Sequence, residues 1–269
     1  MNELFDIKNK VVAITGSTGV LAGSLAKYLA SQGAKVVFMG RSKEKLDAAT
    51  ADLDPADTLA CVCDVLDRPA LEKARSDILA KFGRLDALIN GAGGNMSGAT
   101  IPPDKTFFDL EVDQWAAVVK LNLQGTLLPT MVFGEIFRRQ KFGSIVNFSS
   151  MTAEAAVTRV LGYSNAKAGV NNLTKWLAVE FAQKFGEGIR VNAIAPGFFI
   201  SEQNRALLTN PDGSFTQRGQ TVINKTPFKR FGNADEIHGA AHYLISDASK
   251  FVTGTIMAID GGFSCFSGV

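Results

Sequence analysis

The sequence predicts an α/β fold, a doubly wound parallel sheet of about seven strands flanked by helices in a single domain. Three observations carry this expectation. Short β-branched runs alternate with longer helical stretches along the whole chain. Several of those runs lack polar alternation, so both faces of the strands are buried. The 269 residues, 46% hydrophobic and 20% charged, have the composition of a globular chain with one large core.

The strand-like runs fall at residues 10–15, 35–39, 58–63, 87–90, 144–148, 190–194 and 255–259. Helical stretches at 21–32, 71–82, 115–139 and 170–185 supply covers for both faces of the sheet. No repeat, low-complexity tract or linker interrupts this order, so residues 1–269 read as one domain. The longest irregular stretches, 93–106 and 201–226, are expected to wall a substrate cleft, the second reaching back to residue 198.

Charge and cysteine usage exclude several function classes. Net charge is +2 and the basic residues are dispersed, so neither nucleic acid nor a membrane surface is an expected partner. The start, residues 1–6, is acidic rather than basic and has no sustained apolar run, so no secretory signal is expected, and no transmembrane span is read. Cys61, Cys63 and Cys265 are too few for a disulfide framework, which suits a reducing cytoplasm.

In such sheets, ligands bind beyond the carboxyl ends of the strands. After the first strand comes Thr15-Gly16-Ser17-Thr18-Gly19-Val20-Leu21-Ala22-Gly23, a glycine turn opening a helix, where backbone amides can approach a pyrophosphate. Gly16, Ser17, Gly19, Val20 and Leu21 are therefore candidate dinucleotide contacts. Beyond the second strand, Gly40-Arg41-Ser42 carries no carboxylate for a ribose diol. Arg41, helped by the Ser42 hydroxyl, is instead suited to a 2′-phosphate, so the cofactor is expected to be NAD or NADP with a lean to NADP. Asp64 and Val65 follow the third strand, and Asn90, Gly91 and Ala92 follow the fourth.

Proton-transfer chemistry points to one cluster. If the run from Leu161 is helical, Tyr163 and Lys167 share a face, with Ser150 thirteen residues before the tyrosine. An ammonium beside a phenol is expected to lower the phenol pKa and make it a usable acid or base. His238 and His242 have the i,i+4 spacing of metal ligands, but residue 239 is glycine and no third ligand is evident, so no metal is expected.

With the glycine turn, Asp64, Asn90-Gly91-Ala92-Gly93, Asn122, Ser150, Tyr163, Lys167 and Pro196-Gly197 in this order, the whole chain resembles the short-chain dehydrogenase/reductase family. The family's glycines at positions equivalent to 20 and 22 are Val20 and Ala22 here. The resemblance implies a Rossmann fold that binds a nicotinamide dinucleotide and interconverts an alcohol and a ketone. It implies Tyr163 as general acid/base, Ser150 holding the substrate oxygen, and Lys167 binding the nicotinamide ribose. Asn122 would hold a water linking Lys167 to solvent. Pro196, Gly197, Phe199 and Ser201 would lie against the nicotinamide carboxamide.

Within the family, Gly93-Gly94-Asn95, Pro196-Gly197-Phe198-Phe199 followed by Gln203-Asn204-Arg205, Asn210-Pro211-Asp212-Gly213-Ser214, and the tail Asp260-Gly261-Gly262-Phe263-Ser264 ending Ser267-Gly268-Val269 are similar to D-mannonate oxidoreductases, which interconvert D-mannonate and D-fructuronate. A sugar acid requires a cation and neutral hydrogen-bonding partners. Arg205 and then Arg159 are the expected cations, with Asn95, Gln203 and Asn204 as neutral partners; Arg230 looks structural. Alternatives are a gluconate 5-dehydrogenase-like activity, a 3-oxoacyl-thioester reductase, and a non-catalytic dinucleotide-sensing protein. The resemblance also implies a homotetramer or homodimer, with the helices at 115–139 and 170–185 as contact surfaces and residues 265–269 docking on a neighbour.

Overall fold

A computed structural model describes residues 3–201 and 204–268. Seven strands, β1 (Val11–Thr15), β2 (Lys35–Gly40), β3 (Thr58–Val62), β4 (Ala87–Asn90), β5 (Gly143–Phe148), β6 (Ile189–Pro196) and β7 (Ile256–Ile259), form one sheet in the order β3-β2-β1-β4-β5-β6-β7. Every pairing is parallel. The order reverses at β1, which pairs with both β2 and β4, so the switch point of this Rossmann-type sheet lies between the glycine turn and Asn90.

Side-chain alternation along the strands feeds two cores. Val12 and Ile14 of β1 face one core with α1 (Val20–Ser31) and the last long helix, while Val11 and Ala13 face the other. That second core collects α3 (Arg68–Phe82), the helix Gly125–Gln140 and α6 (Leu161–Phe185) through Leu71, Ile78, Phe133, Phe137 and Leu177. Both faces of each central strand are thus dry, which accounts for their unbroken apolar composition.

Between α1 and α3 lies a further helix, α2 (Lys43–Thr50), capped by Ser42, whose Oγ accepts from the Lys45 amide at 3.2 Å. The stretch expected as one helix over 115–139 is α4 (Val112–Val119), a π-helical turn over Lys120–Gln124, and α5 (Gly125–Gln140). Taken together, residues 112–140 are long and apolar enough to cross a membrane by length and composition alone. Here Thr130, Phe133 and Phe137 are buried within the fold, the pattern of a core helix.

The segment 201–226, expected to be irregular, is corrected by the structure. It contains α7 (Arg205–Leu208) and α8 (Gln217–Lys225), the latter capped by the Thr216 hydroxyl accepting from Gly219 N at 3.0 Å. Leu208, Val222, Ile223 and Phe231 form a small separate core with Phe198, Ile200 and Phe263 around it. Four buried apolar side chains spread over 24 positions leave little periodic signal in sequence. α9 (His238–Ile245) completes the fold, with Ala241, Leu244 and Ile245 under the sheet.

Candidate active site

The glycine turn is fitted against the end of β4. Gly16 has φ +69°, and a Cβ there would stand 2.8 Å from the backbone of Ala92. Thr15 Oγ1 ties the same region together by accepting from the amides of Gly91 and Ala92, both at 3.1 Å. Gly19 caps α1 with no side-chain hydrogen bond, so the amides of Val20 and Leu21 are presented at the helix start for an anion. Ala22, which replaces a family glycine, is accommodated because residue 91 has no side chain. A Cβ on Gly91 would lie 2.8 Å from that of Ala22. Val20 is partly exposed on the turn. Ser17 is fully buried and its hydroxyl donates to the Met39 carbonyl at 3.3 Å, so its role in the turn is to join β1 to β2.

The other strand ends meet the same rim. Arg41 is exposed and makes no ion pair among the described residues. The Ser42 hydroxyl, expected as a phosphate donor, instead donates to Glu44 at 2.8 Å while capping α2. Asp64 Oδ1 accepts from the Leu66 amide at 2.8 Å, holding the turn that carries the buried Val65. Asn90 donates to Thr130 Oγ1 at 2.9 Å and to Asn147 Oδ1 at 2.8 Å, and Asn147 passes the network on to Thr174. This buried chain, which the sequence reading missed, ties β4 and β5 to the two helices behind them. A polar residue inside each otherwise apolar strand end is its sequence signal.

Gly197, after Pro196, lies against Asp260 so closely that a Cβ would approach it within 2.6 Å, and its amide donates to Ile259 O at 2.9 Å. Phe199 is buried against Gly232. The Asn204 carboxamide donates to Phe199 O at 2.8 Å and accepts from Ser201 N at 2.7 Å. Asn204, expected as a substrate partner, therefore braces its own loop. Gln203 lies outside the described residues.

Ser150, Tyr163 and Lys167 come together as the sequence spacing implies. Ser150 follows β5, is buried, and its hydroxyl accepts from the Thr152 amide at 3.2 Å while acting on the neighbouring Tyr163 phenol. Lys167 is 3% exposed; its Nζ donates to the Phe148 carbonyl at 2.7 Å and stands 5.4 Å from the Tyr163 ring centroid. The expected lowering of the phenol pKa by Lys167 is corrected: burial raises it, and the hydrogen bond from Ser150 is the opposing influence. The ammonium donates to the strand-end carbonyl and stands over the face of the ring. Burial lowers the Lys167 pKa to about 8.

The π-helical turn places Asn122 against this cluster. Asn122 is fully buried; its Nδ2 donates to the carbonyls of Val118 and Gly94 at 2.9 and 2.8 Å, and its Oδ1 accepts from Gly94 N at 3.0 Å. An i→i+5 turn frees a carbonyl from the regular ladder, and the Asn122 amide satisfies Val118 while clamping the loop after β4. A Cβ on Gly93 would meet Asn122 Oδ1 at 2.5 Å and Lys167 Nζ at 3.4 Å, so this loop runs close over both. Further along it, Asn95 Nδ2 donates to Thr100 Oγ1 at 2.8 Å, leaving Asn95 Oδ1 enclosed without a partner.

Of the expected cations, Arg205 is exposed at the start of α7. Arg159 has φ +77°, with its carbonyl accepting from Ile101 N at 3.0 Å, and so joins the loop of 93–106 to the start of α6. Arg218, which the sequence reading overlooked, extends from α8 to Thr158. The two histidines sit elsewhere: His238 Nε2 is 3.0 Å from Ser24 Oγ, and His242 lies between Tyr28 OH and Phe5 O at 3.0 and 2.7 Å. Among the described residues no cluster of three potential metal ligands occurs. Burial pushes the thiols of Cys61 and Cys63 up to about 11 and about 12, so both are held as inert core groups.

Comparison with known proteins places this geometry. Residues 17–264 match a family model described as enoyl-(acyl carrier protein) reductase. An uncharacterized oxidoreductase, UxuB, of Bacillus subtilis (strain 168) is 42% identical over 98% of both chains. A crystal structure of a candidate D-mannonate oxidoreductase from Haemophilus influenzae with bound NAD superposes with a TM-score of 0.89, at 39% identity and 98% coverage of each chain. A gluconate 5-dehydrogenase from Burkholderia cenocepacia J2315, in complex with NADP and tartrate, gives a TM-score of 0.85 at 30% identity, again over 98% of both chains.

Proposed function

From a chain that belongs to the short-chain dehydrogenase/reductase family and is an NAD(P)-dependent oxidoreductase, we propose a sugar-acid oxidoreductase that interconverts D-mannonate and D-fructuronate. The observation that carries the chemical half of this reading is the grouping of Ser150 and the Tyr163 phenol with the buried Lys167, whose Nζ stands 5.4 Å from the tyrosine ring centroid. The substrate half is supported by similarity to the candidate D-mannonate oxidoreductase and by Arg218, which reaches Thr158 next to Arg159 just before α6.

The turn fits a dinucleotide on its own geometry. Gly16 leaves no room for a side chain beside Ala92, and the uncapped amides of Val20 and Leu21 suit a pyrophosphate. Gly91, Ala92, Gly197 and the backbone around Phe199 and Ser201 would line the remainder, Asp64 and Val65 would flank the adenine side, and Lys167 would reach the ribose. When bound, the nicotinamide supplies or accepts the hydride. Arg41 would meet a 2′-phosphate, with Glu44 nearby as a competing negative charge; dissociation constants for NADH and NADPH in Arg41→Ala measure that balance.

The chain's own residues then handle the proton. Ser150 holds the carbonyl oxygen by a hydrogen bond, which orients it and draws negative charge onto it. Tyr163, protonated because burial raises its pKa, donates to that oxygen as it becomes an alkoxide, and removes the proton in the reverse direction. Lys167 places a titratable charge under the ring, and Asn122 fixes the Gly93–Gly94 backbone around it.

Turnover of D-fructuronate and 5-ketogluconate with both reduced cofactors tests the reading. The expected result is turnover of a uronate; no turnover of either acid would remove the sugar-acid assignment while leaving the oxidoreductase class intact.

A further inference from the structure

We infer that Arg159 and Arg218 form the carboxylate-binding site for the sugar acid, joining the start of α6 to α8 across the cleft. This rests on the sugar-acid reading above and assigns its anion to a pair of side chains. Arg218 donates from Nη1 to Thr158 Oγ1 and from Nη2 to the Thr158 carbonyl, both at 3.3 Å, which fixes its guanidinium against the residue preceding Arg159. Among the described residues, neither arginine forms an ion pair, a property they share with Arg41, Arg75, Arg139, Arg190 and Arg205.

Two like charges side by side without a counter-ion cost free energy in a folded protein. Burial and then the Arg159 charge lower the Arg218 pKa. Arg159 adds a second cost, a non-glycine residue at φ +77°. Its carbonyl is held by Ile101 of the loop of 93–106, and it stands four residues before Tyr163. Three walls thus converge there: the loop after β4, the segment between Ser150 and Tyr163, and α8. A carboxylate relieves the repulsion and accepts the planar donors of both guanidinium groups. Arg205, exposed and without such a partner, is the weaker candidate.

The test compares kcat/KM for D-fructuronate and 5-ketogluconate with that for D-fructose, a neutral ketone, in the native enzyme, Arg218→Ala, Arg218→Lys and Arg159→Gly. The glycine variant removes the charge while tolerating positive φ. Dissociation constants for NADH and NADPH serve as the measure of an intact fold, and are expected to stay within about twofold. The inference predicts a fall of roughly 30- to 300-fold on the acids in Arg218→Ala, mostly in KM, smaller in Arg218→Lys, with loss of the acid-over-ketone preference. If the native enzyme prefers an acid and both Arg218→Ala and Arg159→Gly keep that preference, the site assignment is wrong and the sugar-acid reading stands. If the native enzyme turns over neither acid, or prefers acetoacetyl-CoA, the reading and the inference fall together.

Discussion

Lys167 is held at 3% exposure with the Phe148 carbonyl as its acceptor, and burial lowers its pKa to about 8. An unfolded lysine titrates near 10.4, so between the two values the unfolded chain binds more protons and folding stability rises with pH. Below about pH 8 the penalty for the buried ammonium is full. Replacing Lys167 by Met should therefore stabilise the cofactor-free protein at pH 7, by roughly 1–3 kcal/mol, while greatly reducing turnover. Urea denaturation at pH 7 and pH 10 checks this: the gap between variant and native protein should narrow at the higher pH, and a constant gap would contradict it. Tyr163 has the opposite sign. Its raised pKa keeps the phenol protonated at neutral pH, so alcohol oxidation should accelerate as pH rises into the alkaline range while carbonyl reduction does not.

At the scale of elements, the glycine turn and the loop after β4 are one construction. Gly16→Ala should weaken cofactor binding and destabilise the fold by about 2 kcal/mol or more, because it combines positive φ with a backbone clash at Ala92. Calorimetric titration with NADH and thermal unfolding measure the two effects separately. All seven strands and the Ser150–Tyr163–Lys167 grouping were legible in sequence, because apolar runs and helical spacing are local signals. The direction of the tyrosine pKa shift was not, because it depends on which way the Lys167 ammonium turns and how much of the site is enclosed. Arg218 escaped for a similar reason. Sixty residues separate it from Thr158, and only the folding of α8 onto the segment before α6 brings them together. Asn204 read as a cleft ligand because its loop position was visible while its two hydrogen bonds back to Phe199 and Ser201 were not.

At the scale of the whole molecule, Trp176 and Val179 on α6 are 59% and 57% exposed, and Met131 on α5 is 48% exposed. These long helices are the surfaces expected to pair in an oligomer, so Trp176→Glu combined with Val179→Glu should shift the protein to a smaller species in sedimentation velocity; an unchanged sedimentation coefficient would exclude this face. Of the carboxyl-terminal residues expected to dock on a neighbour, Phe266 contacts its own chain, while Cys265, Ser267 and Gly268 are exposed. Lys225 donates to the Phe266 carbonyl and lies 5.2 Å from the Phe266 ring centroid, while Phe263 packs on Phe198. The tail thereby fastens α8, and with it Arg218, to the rest of the fold. Both halves of the reading meet in one kinetic comparison, the rate of D-fructuronate reduction by the native enzyme and by Tyr163→Phe with the preferred nicotinamide cofactor. The expected result is turnover in the native enzyme and a loss of roughly 10²- to 10⁴-fold in the variant with cofactor affinity retained; equal rates would contradict the role given to Tyr163.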